Sequence, residues 1–164
     1  MIILGIDPGT AKTGFGIIKK TRKLIWINHG CITTSTDLST ADRLNKIYKE
    51  LSSLIKKYKP NIVAVEDIFF FKNLKTAIKV SQARGVILLT AAKAKVKITE
   101  YTPLQVKQAV ACYGRADKAQ VQKMVKTLLN LKEIPKPDDA ADALATAICC
   151  AHTINPSPLA KGRE

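Results

Sequence analysis

The chain has 164 residues, 46% of them hydrophobic, and its 27 Lys and Arg outnumber 13 Asp and Glu to give a formal charge of +14. The length supports one domain with a hydrophobic core and excludes a repeat or fibrous architecture. So large an excess of one charge indicates a polyanion partner, and nucleic acid is favoured over a membrane surface because the basic residues are spread over many segments.

The first part of the chain predicts three strands. Ile2–Asp7 is a short apolar run that ends at the turn-forming pair Pro8-Gly9. Thr13–Lys19 and Lys23–Thr33 are rich in β-branched and aromatic residues and are separated by a short polar turn. The pattern is typical of consecutive strands joined by tight turns.

A change of period then predicts a helix followed by a fourth strand. Apolar residues recur at spacings of three and four residues, at Leu44, Ile47, Tyr48, Leu51, Leu54, Ile55 and Tyr58. Pro60 follows this series, at a position where a proline stops a helix. Ile62–Glu66 is the next strand. The helix between them allows a crossover to a parallel neighbour.

The remaining elements alternate between helix and strand. Leu74–Lys95 is predicted as a long helix and Val96–Tyr101 as the fifth strand. Thr102-Pro103 opens a short helix, Asp117–Leu131 forms another, and the last runs from about Asp139 to His152. This order predicts an α/β fold with a mixed sheet.

Nothing in the sequence predicts a membrane segment. The longest apolar run, Gly85–Ala92, is too short to cross a bilayer, and the first apolar run stops at Asp7 without a preceding basic segment. We therefore expect a cytoplasmic protein with no membrane partner. We expect one domain over residues 1–154 and a disordered tail over residues 155–164, which is polar and contains two prolines.

Two of the predicted strands end in an acid. Because side chains alternate along a strand, Ile3, Gly5 and Asp7 share one face, and Ile62, Ala64 and Glu66 share one face of the fourth strand. Asp67 points the other way. If the two strands are neighbours, Asp7 and Glu66 meet at the carboxyl end of the sheet, where α/β proteins place their sites.

A third group of acids opens the last predicted helix. Asp139 and Asp142 are three residues apart and share a helix face, but Asp138 and Asp142 are four apart and also share one. Spacing alone therefore leaves Asp138 and Asp139 as alternatives. Asp7 taken singly is also compatible with a turn residue, and Asp138 or Asp139 with a helix cap.

Taken together, the acids favour a metal site. Mg²⁺ prefers oxygen ligands and is held by a few carboxylates, water and substrate phosphate. Acids packed together without a cation repel one another, and two such ions can activate water for phosphodiester hydrolysis. A basic protein with an acidic centre is thus predicted to act on a nucleic acid.

The sequence resembles the RuvC family of Holliday-junction resolvases from Met1 to about His152. The resemblance rests on six segments in order: GIDPGTAKTGFGII, VAVEDIFFFKN, SQARGVILL, TPLQVKQAV, GRADKAQVQKMV and DDAADALATAI. It implies an RNase H-like fold with a five-stranded mixed β-sheet flanked by α-helices. It also implies a homodimer that makes two symmetric nicks in a four-way DNA junction during recombination and repair, with Mg²⁺ as cofactor.

The resemblance also assigns residues. The family's catalytic and metal-binding acids fall on Asp7, Glu66, Asp139 and Asp142. Phe69 matches an aromatic used against bases at the crossover, with Phe70 and Phe71 as alternatives, and Lys107 and Lys118 match basic residues near the scissile phosphate. Two Mg²⁺ ions per site, for which Mn²⁺ substitutes, would perform the hydrolysis. The implied partner is the RuvA–RuvB branch-migration motor, and the apolar run Val86–Leu89 is either core or dimer interface.

Three other functions are also compatible with parts of the sequence. Asp7-Pro8-Gly9-Thr10 resembles the phosphate loop of actin-like and sugar-kinase ATPases, which need two such domains. A nuclease that processes ribosomal RNA precursors shares the fold and an Asp-x-Gly-Thr start. A junction-binding protein without catalysis would not need the acids at all.

Overall fold

The computed structural model describes residues 1–67 and 74–154. The elements in chain order are β1 Ile2–Asp7, β2 Lys12–Lys20, β3 Leu24–Thr33, α1 Thr40–Tyr58, β4 Ile62–Glu66, α2 Leu74–Lys93, β5 Lys97–Tyr101, α3 Pro103–Ala111, α4 Lys118–Leu128 and α5 Asp138–Thr153. The order of helices and strands expected from the sequence is confirmed. Phe69 and the tail after residue 154 lie outside the described residues.

The five strands form one mixed sheet in the order β3-β2-β1-β4-β5. β1 pairs antiparallel with β2 and parallel with β4, and β4 pairs parallel with β5. The register aligns Gly5 with Ala64 and Ile6 with Val65. Asp7 and Glu66 therefore follow paired residues at the same end of the sheet, and the predicted five-stranded mixed sheet is confirmed.

Local signals account for the limits of α1. Ser39 caps it by accepting a hydrogen bond from the Asp42 amide, and Ile47, Leu51 and Ile55 form its buried face. The helix ends because Lys59 takes the left-handed conformation with φ 46° and a proline follows. α3 and α4 begin after Thr102 and Asp117, and both have complete capping boxes.

Each face of the sheet carries its own hydrophobic cluster. One packs Ile3, Ile18 and α5 residues such as Leu144 and Ile148. The other packs β-strand residues against α1 and α2, with Ile87 at its centre. α5 is buried along most of its length, and its first turn packs against Gly14 on β2, which pairs with Asp7 at the carboxyl end of β1. In the described part of the chain, no helix has the length and apolarity needed to cross a membrane.

Candidate active site

Asp7 lies at the centre of a group of mutually repelling carboxylates. Burial and the charges of Glu66, Asp142 and Asp139 together raise the pKa of Asp7 from its ordinary value of 3.8 to about 8, and Lys118 opposes the rise. Those three acids come from β4 and α5, so the fold gathers groups that are far apart in the sequence. Such a cluster is costly without a cation to neutralise it.

Glu66 shares this environment. Burial and the charge of Asp142 raise the pKa of Glu66 from 4.5 to about 7, while Lys107 and Lys118 lower it. A cavity of about 250 Å³ is lined by Glu66, Asp142, Lys107 and Lys118 among others. The two lysines that the resemblance assigned therefore face the same space as two of the four assigned acids.

The first two turns of α5 supply the other acids. Asp139 and Asp142 are both half-buried, and burial raises the pKa of Asp142 although Lys118 hydrogen-bonds to it. The helix comes this close because strand β2 has Gly14 at the contact. A Cβ atom at Gly14 would collide with the carbonyl oxygen of Asp139, so only glycine allows α5 to sit at this distance.

Lys118 is the cation inside the carboxylate group. It is the first residue of α4, and its Nζ donates a hydrogen bond to Asp142 Oδ2 at 2.9 Å. It lies 3.7 Å from Asp138 Oδ2. Burial alone lowers the pKa of Lys118, but Asp142, Asp138 and Asp139 outweigh it and the net pKa is raised. Lys118 therefore remains charged.

The two acids that the sequence argument set aside have other partners. Asp138 pairs with Lys136 at 3.2 Å, and hydrogen bonds from Lys136 and Gln122 lower its pKa. Asp67 makes an ion pair with Arg84 at 3.2 Å, and Arg84 also pairs with Glu100 on β5. Arg84 thus holds Asp67 on the side of the strand away from Asp7.

The donor set fits a hard divalent cation. The four electrostatically coupled acids offer oxygen ligands, which Mg²⁺ and Mn²⁺ prefer, and the pKa of the neighbouring Cys31 thiol is raised to about 11, so it is protonated at neutral pH. Within residues 1–67 and 74–154, however, no three His, Cys, Asp or Glu side chains already stand in a metal-binding arrangement. The Lys118 ammonium is hydrogen-bonded to Asp142 Oδ2, so coordination of an ion through that oxygen would require the lysine side chain to move.

Two site residues were missed by the sequence analysis. Gly14 controls the approach of α5, and Cys31 is its register partner on β3. Burial, together with the charges of Asp139 and Asp7, raises the pKa of the Cys31 thiol to about 11. A glycine in the interior of a predicted strand was the available signal for close backbone approach. Cys31 gave no such signal.

Comparison with known proteins matches the chain to the same family that its sequence segments resemble. The family model described as "Crossover junction endodeoxyribonuclease RuvC" matches residues 3–150. A protein of that name from Alkaliphilus oremlandii is 57% identical over 156 residues, covering 94% of this chain and 95% of the relative. One from Halothermothrix orenii is 59% identical over 150 residues, with 91% of each covered.

Two solved structures resemble the fold closely. A Thermus thermophilus RuvC structure superposes with a TM-score of 0.83 at 37% identity, covering 91% of this chain and 92% of the other. A T. thermophilus RuvC in complex with Holliday junction substrate has the same TM-score and coverage at 34% identity. These matches confirm the RNase H-like architecture expected from the resemblance.

Proposed function

The chain belongs to the RuvC family of crossover junction endodeoxyribonucleases and resolves Holliday junctions, and we propose that it hydrolyses the DNA with two Mg²⁺ ions held by Asp7, Glu66, Asp139 and Asp142. The enzyme is a nuclease that binds four-way DNA, and RuvC nucleases depend on a metal ion. The observation that carries the proposal is the joint rise in the pKa values of Asp7 and Glu66, caused by burial and by neighbouring acids.

The carboxylates are negatively charged, and the DNA phosphate would add further negative charge at the same site. Bound Mg²⁺ would polarise the scissile phosphate and lower the pKa of a water molecule beside it. Asp7, at the centre of the group, would orient both ions, and Glu66, Asp139 and Asp142 would complete the ligand set. As ligands of a cation, Asp7 and Glu66 would be held in their ionised forms near neutral pH.

The two lysines act on the substrate. Lys107 and Lys118 line the cavity with Glu66 and Asp142, so a phosphate placed there lies within reach of both ammonium groups. Lys118 would exchange its hydrogen bond with Asp142 for one to a phosphate oxygen. Positive groups fixed in advance stabilise the charge that develops in the transition state.

We also propose a homodimer whose contact includes the outer face of α2. Ile78 and Leu89 are 60% and 59% exposed, and Gln82 and Gly85 lie exposed between them. A Cβ atom at Gly85 would meet nothing in this chain, so this glycine leaves room for a second helix. A two-fold axis there would give two equivalent sites for two symmetric nicks. Val86–Leu89 therefore serves both purposes, because Ile87 is core while Leu89 is exposed.

Phe69 and the motor complex complete the proposal. Phe69, three residues after Glu66 in the sequence, is proposed from family membership as the aromatic that stacks on a base at the crossover, and such stacking contributes about 1–3 kcal/mol. Phe70 and Phe71 are its alternatives. The RuvA–RuvB branch-migration motor is the partner proposed from family membership, and the cytoplasm is the proposed location.

The test is a synthetic four-way junction incubated with and without Mg²⁺ or Mn²⁺. We expect paired nicks at symmetric positions only with metal. Asp7→Asn should keep junction binding and lose nicking. Mn²⁺ titration followed by electron paramagnetic resonance counts the ions held by each site. Metal-independent nicking, or full activity of Asp7→Asn, would refute the proposed chemistry.

The α2 contact is tested separately with Gly85→Leu. We expect this substitution to weaken the dimer, measured by sedimentation, while the monomer keeps its fold because the added side chain points into open space. An unchanged dimer would remove this face from the interface without affecting the catalytic proposal.

A further inference from the structure

The charges of the protein are separated along the direction of the strands. Asp7, Glu66, Asp139 and Asp142 lie at the carboxyl end of β1 and β4. At the opposite end, the chain passes through three connections, residues 19–23, 56–59 and 93–97. These carry four, three and three Lys or Arg and no Asp or Glu, so they hold ten of the chain's 27 basic residues. We call these three segments the basic end.

The strand register arranges part of the basic end in a row. Lys19 on β2 pairs with Ile2 on β1, Ile3 pairs with Ile62 on β4, and Ile62 pairs with Lys97 on β5. Lys23 directly precedes β3 at the other edge of the sheet, so with strands about 4.8 Å apart the row from Lys23 to Lys97 extends for roughly 19 Å. Duplex DNA rises about 3.4 Å per base pair, so the row matches five to six base pairs of phosphate backbone.

The basic side chains are available to a ligand. All ten are exposed except Lys20, whose ammonium donates to the carbonyl oxygens of Ala151 and Ile154 at the end of α5. No Asp or Glu in the described part of the chain forms an ion pair with any of them. Ten cations without a counter-charge repel one another, and a polyanion would relieve that repulsion by releasing its own counterions.

The basic end is too far from the catalytic carboxylates to serve the same stretch of DNA. β1 runs from one end to the other in six residues, which spans roughly 17 Å. DNA has a persistence length of about 150 base pairs, so an arm that leaves the catalytic cavity cannot turn back around the domain. We propose that the basic end is a second DNA-binding surface, which holds a separate duplex through its phosphates without reading sequence, while the catalytic end holds the junction.

The composition of this surface suits DNA better than an acidic protein. The cores of protein interfaces are depleted in Lys and enriched in aromatic and apolar residues. Lys is the commonest residue of all three connections, and Tyr58 is their only aromatic residue. The surface extends the proposed function, because it gives the enzyme a means to stay on bulk DNA while its site is occupied.

Three neutralising substitutions test the surface without disturbing the helices. Lys56, Lys57 and Lys93 stand in last helical turns, where they also favour the helix dipole, so they are left in place. The variant combines Lys59→Asn, Lys95→Asn and Lys97→Gln. Asn is chosen because Lys59 and Lys95 have φ values of 46° and 56°, a conformation that Asn tolerates.

The matched control removes three charges elsewhere, with Lys46→Gln, Lys49→Gln and Lys123→Gln, all exposed and outside both ends. Protein is loaded without metal on an excess of immobilised junction with short arms, and a labelled duplex is added. We expect the wild type and the control to capture the duplex. At about 0.15 M salt the Lys59/Lys95/Lys97 variant should bind it roughly 100-fold more weakly, and the slope of log affinity against log salt should fall by about 2.7.

Every other outcome overturns the assignment. Equal capture by the variant and the control would remove the basic end from DNA binding, and so would the absence of duplex capture by the wild type. If longer junction arms block capture, the surface holds an arm of the same junction. If polyglutamate displaces the duplex at equal charge, the surface is a site for acidic polypeptides. Nicking measured with Mg²⁺ in the same samples keeps this result separate from the proposed function, because all three proteins should cut the junction equally.

Discussion

Replacement of Asp7 by Asn should make the metal-free protein more stable while it abolishes cleavage. Burial and three neighbouring acids raise the pKa of Asp7 from 3.8 to about 8. Below about pH 4 both the folded and the unfolded chain hold the proton, and the substitution is neutral. Between pH 4 and pH 8 the unfolded chain releases the proton and the folded chain keeps it, so wild-type stability falls as the pH rises through this window.

The size of the effect follows from the same shift. One pKa unit corresponds to about 1.4 kcal/mol, so the full displacement of the pKa of Asp7 corresponds to about 6 kcal/mol, of which at most about 5 kcal/mol is present at pH 8, where half of the folded chains have lost the proton. Relaxation of the neighbouring acids and burial of the new amide reduce it, and we expect a gain of about 3 kcal/mol. For a chain of this size that corresponds to a rise of about 10 °C in the melting temperature.

The assay is thermal unfolding in EDTA from pH 4 to pH 8, for the wild type, Asp7→Asn and the exposed-acid control Glu133→Gln. The Asp7→Asn curve should separate from the wild type with rising pH, whereas the control should follow the wild type. Addition of Mg²⁺ should stabilise the wild type and close the gap, because ligand binding to the folded state adds stability. Equal stability of Asp7→Asn and wild type at pH 8, or a gap that does not depend on pH, would refute the electrostatic account of the site.

Three further predictions test the neighbouring positions. Asp139→Asn should lose cleavage and Mn²⁺ affinity, whereas Asp138→Asn should keep both, as junction nicking and electron paramagnetic resonance would show; loss in both variants would cancel the distinction. Gly14→Ala should cost about 1–3 kcal/mol in urea unfolding and slow cleavage, because its Cβ would push the carbonyl oxygen of Asp139 away. Wild-type stability and rate in that variant would show that α5 does not depend on the glycine. Lys118→Gln should slow single-turnover cleavage by roughly 100-fold with little change in junction affinity, and a loss confined to affinity would limit Lys118 to binding.

The helices and strands could be predicted because their signals are local. Apolar spacing, β-branched runs and capping residues located the elements, and the predicted strand bounds differ from the observed ones by at most one residue. The larger differences are at the ends of two helices. The predicted helix from Leu74 extended to Lys95, and the one from Asp117 to Leu131, but α2 and α4 end at Lys93 and Leu128. Lys95 and Asn130 adopt positive φ values of 56° and 50° just beyond those ends. Asn130 was an available signal for the end of α4, because Asn tolerates the left-handed conformation after a helix, whereas Lys95 offered no such signal.

The site could be predicted only in part, because its physics is not local. Strand parity predicted that Glu66 and Asp67 point to opposite faces. In the structure the charge of Glu66 raises the pKa of Asp7, whereas Asp67 forms an ion pair with Arg84 on α2. Helix spacing could not separate Asp138 from Asp139, because both positions are compatible with the face of Asp142. Their surroundings differ only in the folded protein. Asp138 pairs with Lys136, whereas the charge of Asp139 contributes to the raised pKa of Asp7.

The basic composition and the acidic site are two parts of one electrostatic arrangement. Clustered carboxylates repel a phosphate backbone, so DNA approaches them only if nearby cations outweigh that repulsion. Lys107 and Lys118 lower the pKa of Glu66, which means that they compensate part of the acidic charge before any ion binds. Lys118 is hydrogen-bonded to Asp142, so it keeps the cluster closer to neutral when metal is absent. With a cation held by the carboxylates, Lys118 would be able to leave Asp142 and contact the phosphate. The same lysine would then stabilise the metal-free fold and serve the bound substrate, and this exchange explains why a positive side chain is placed among the acids.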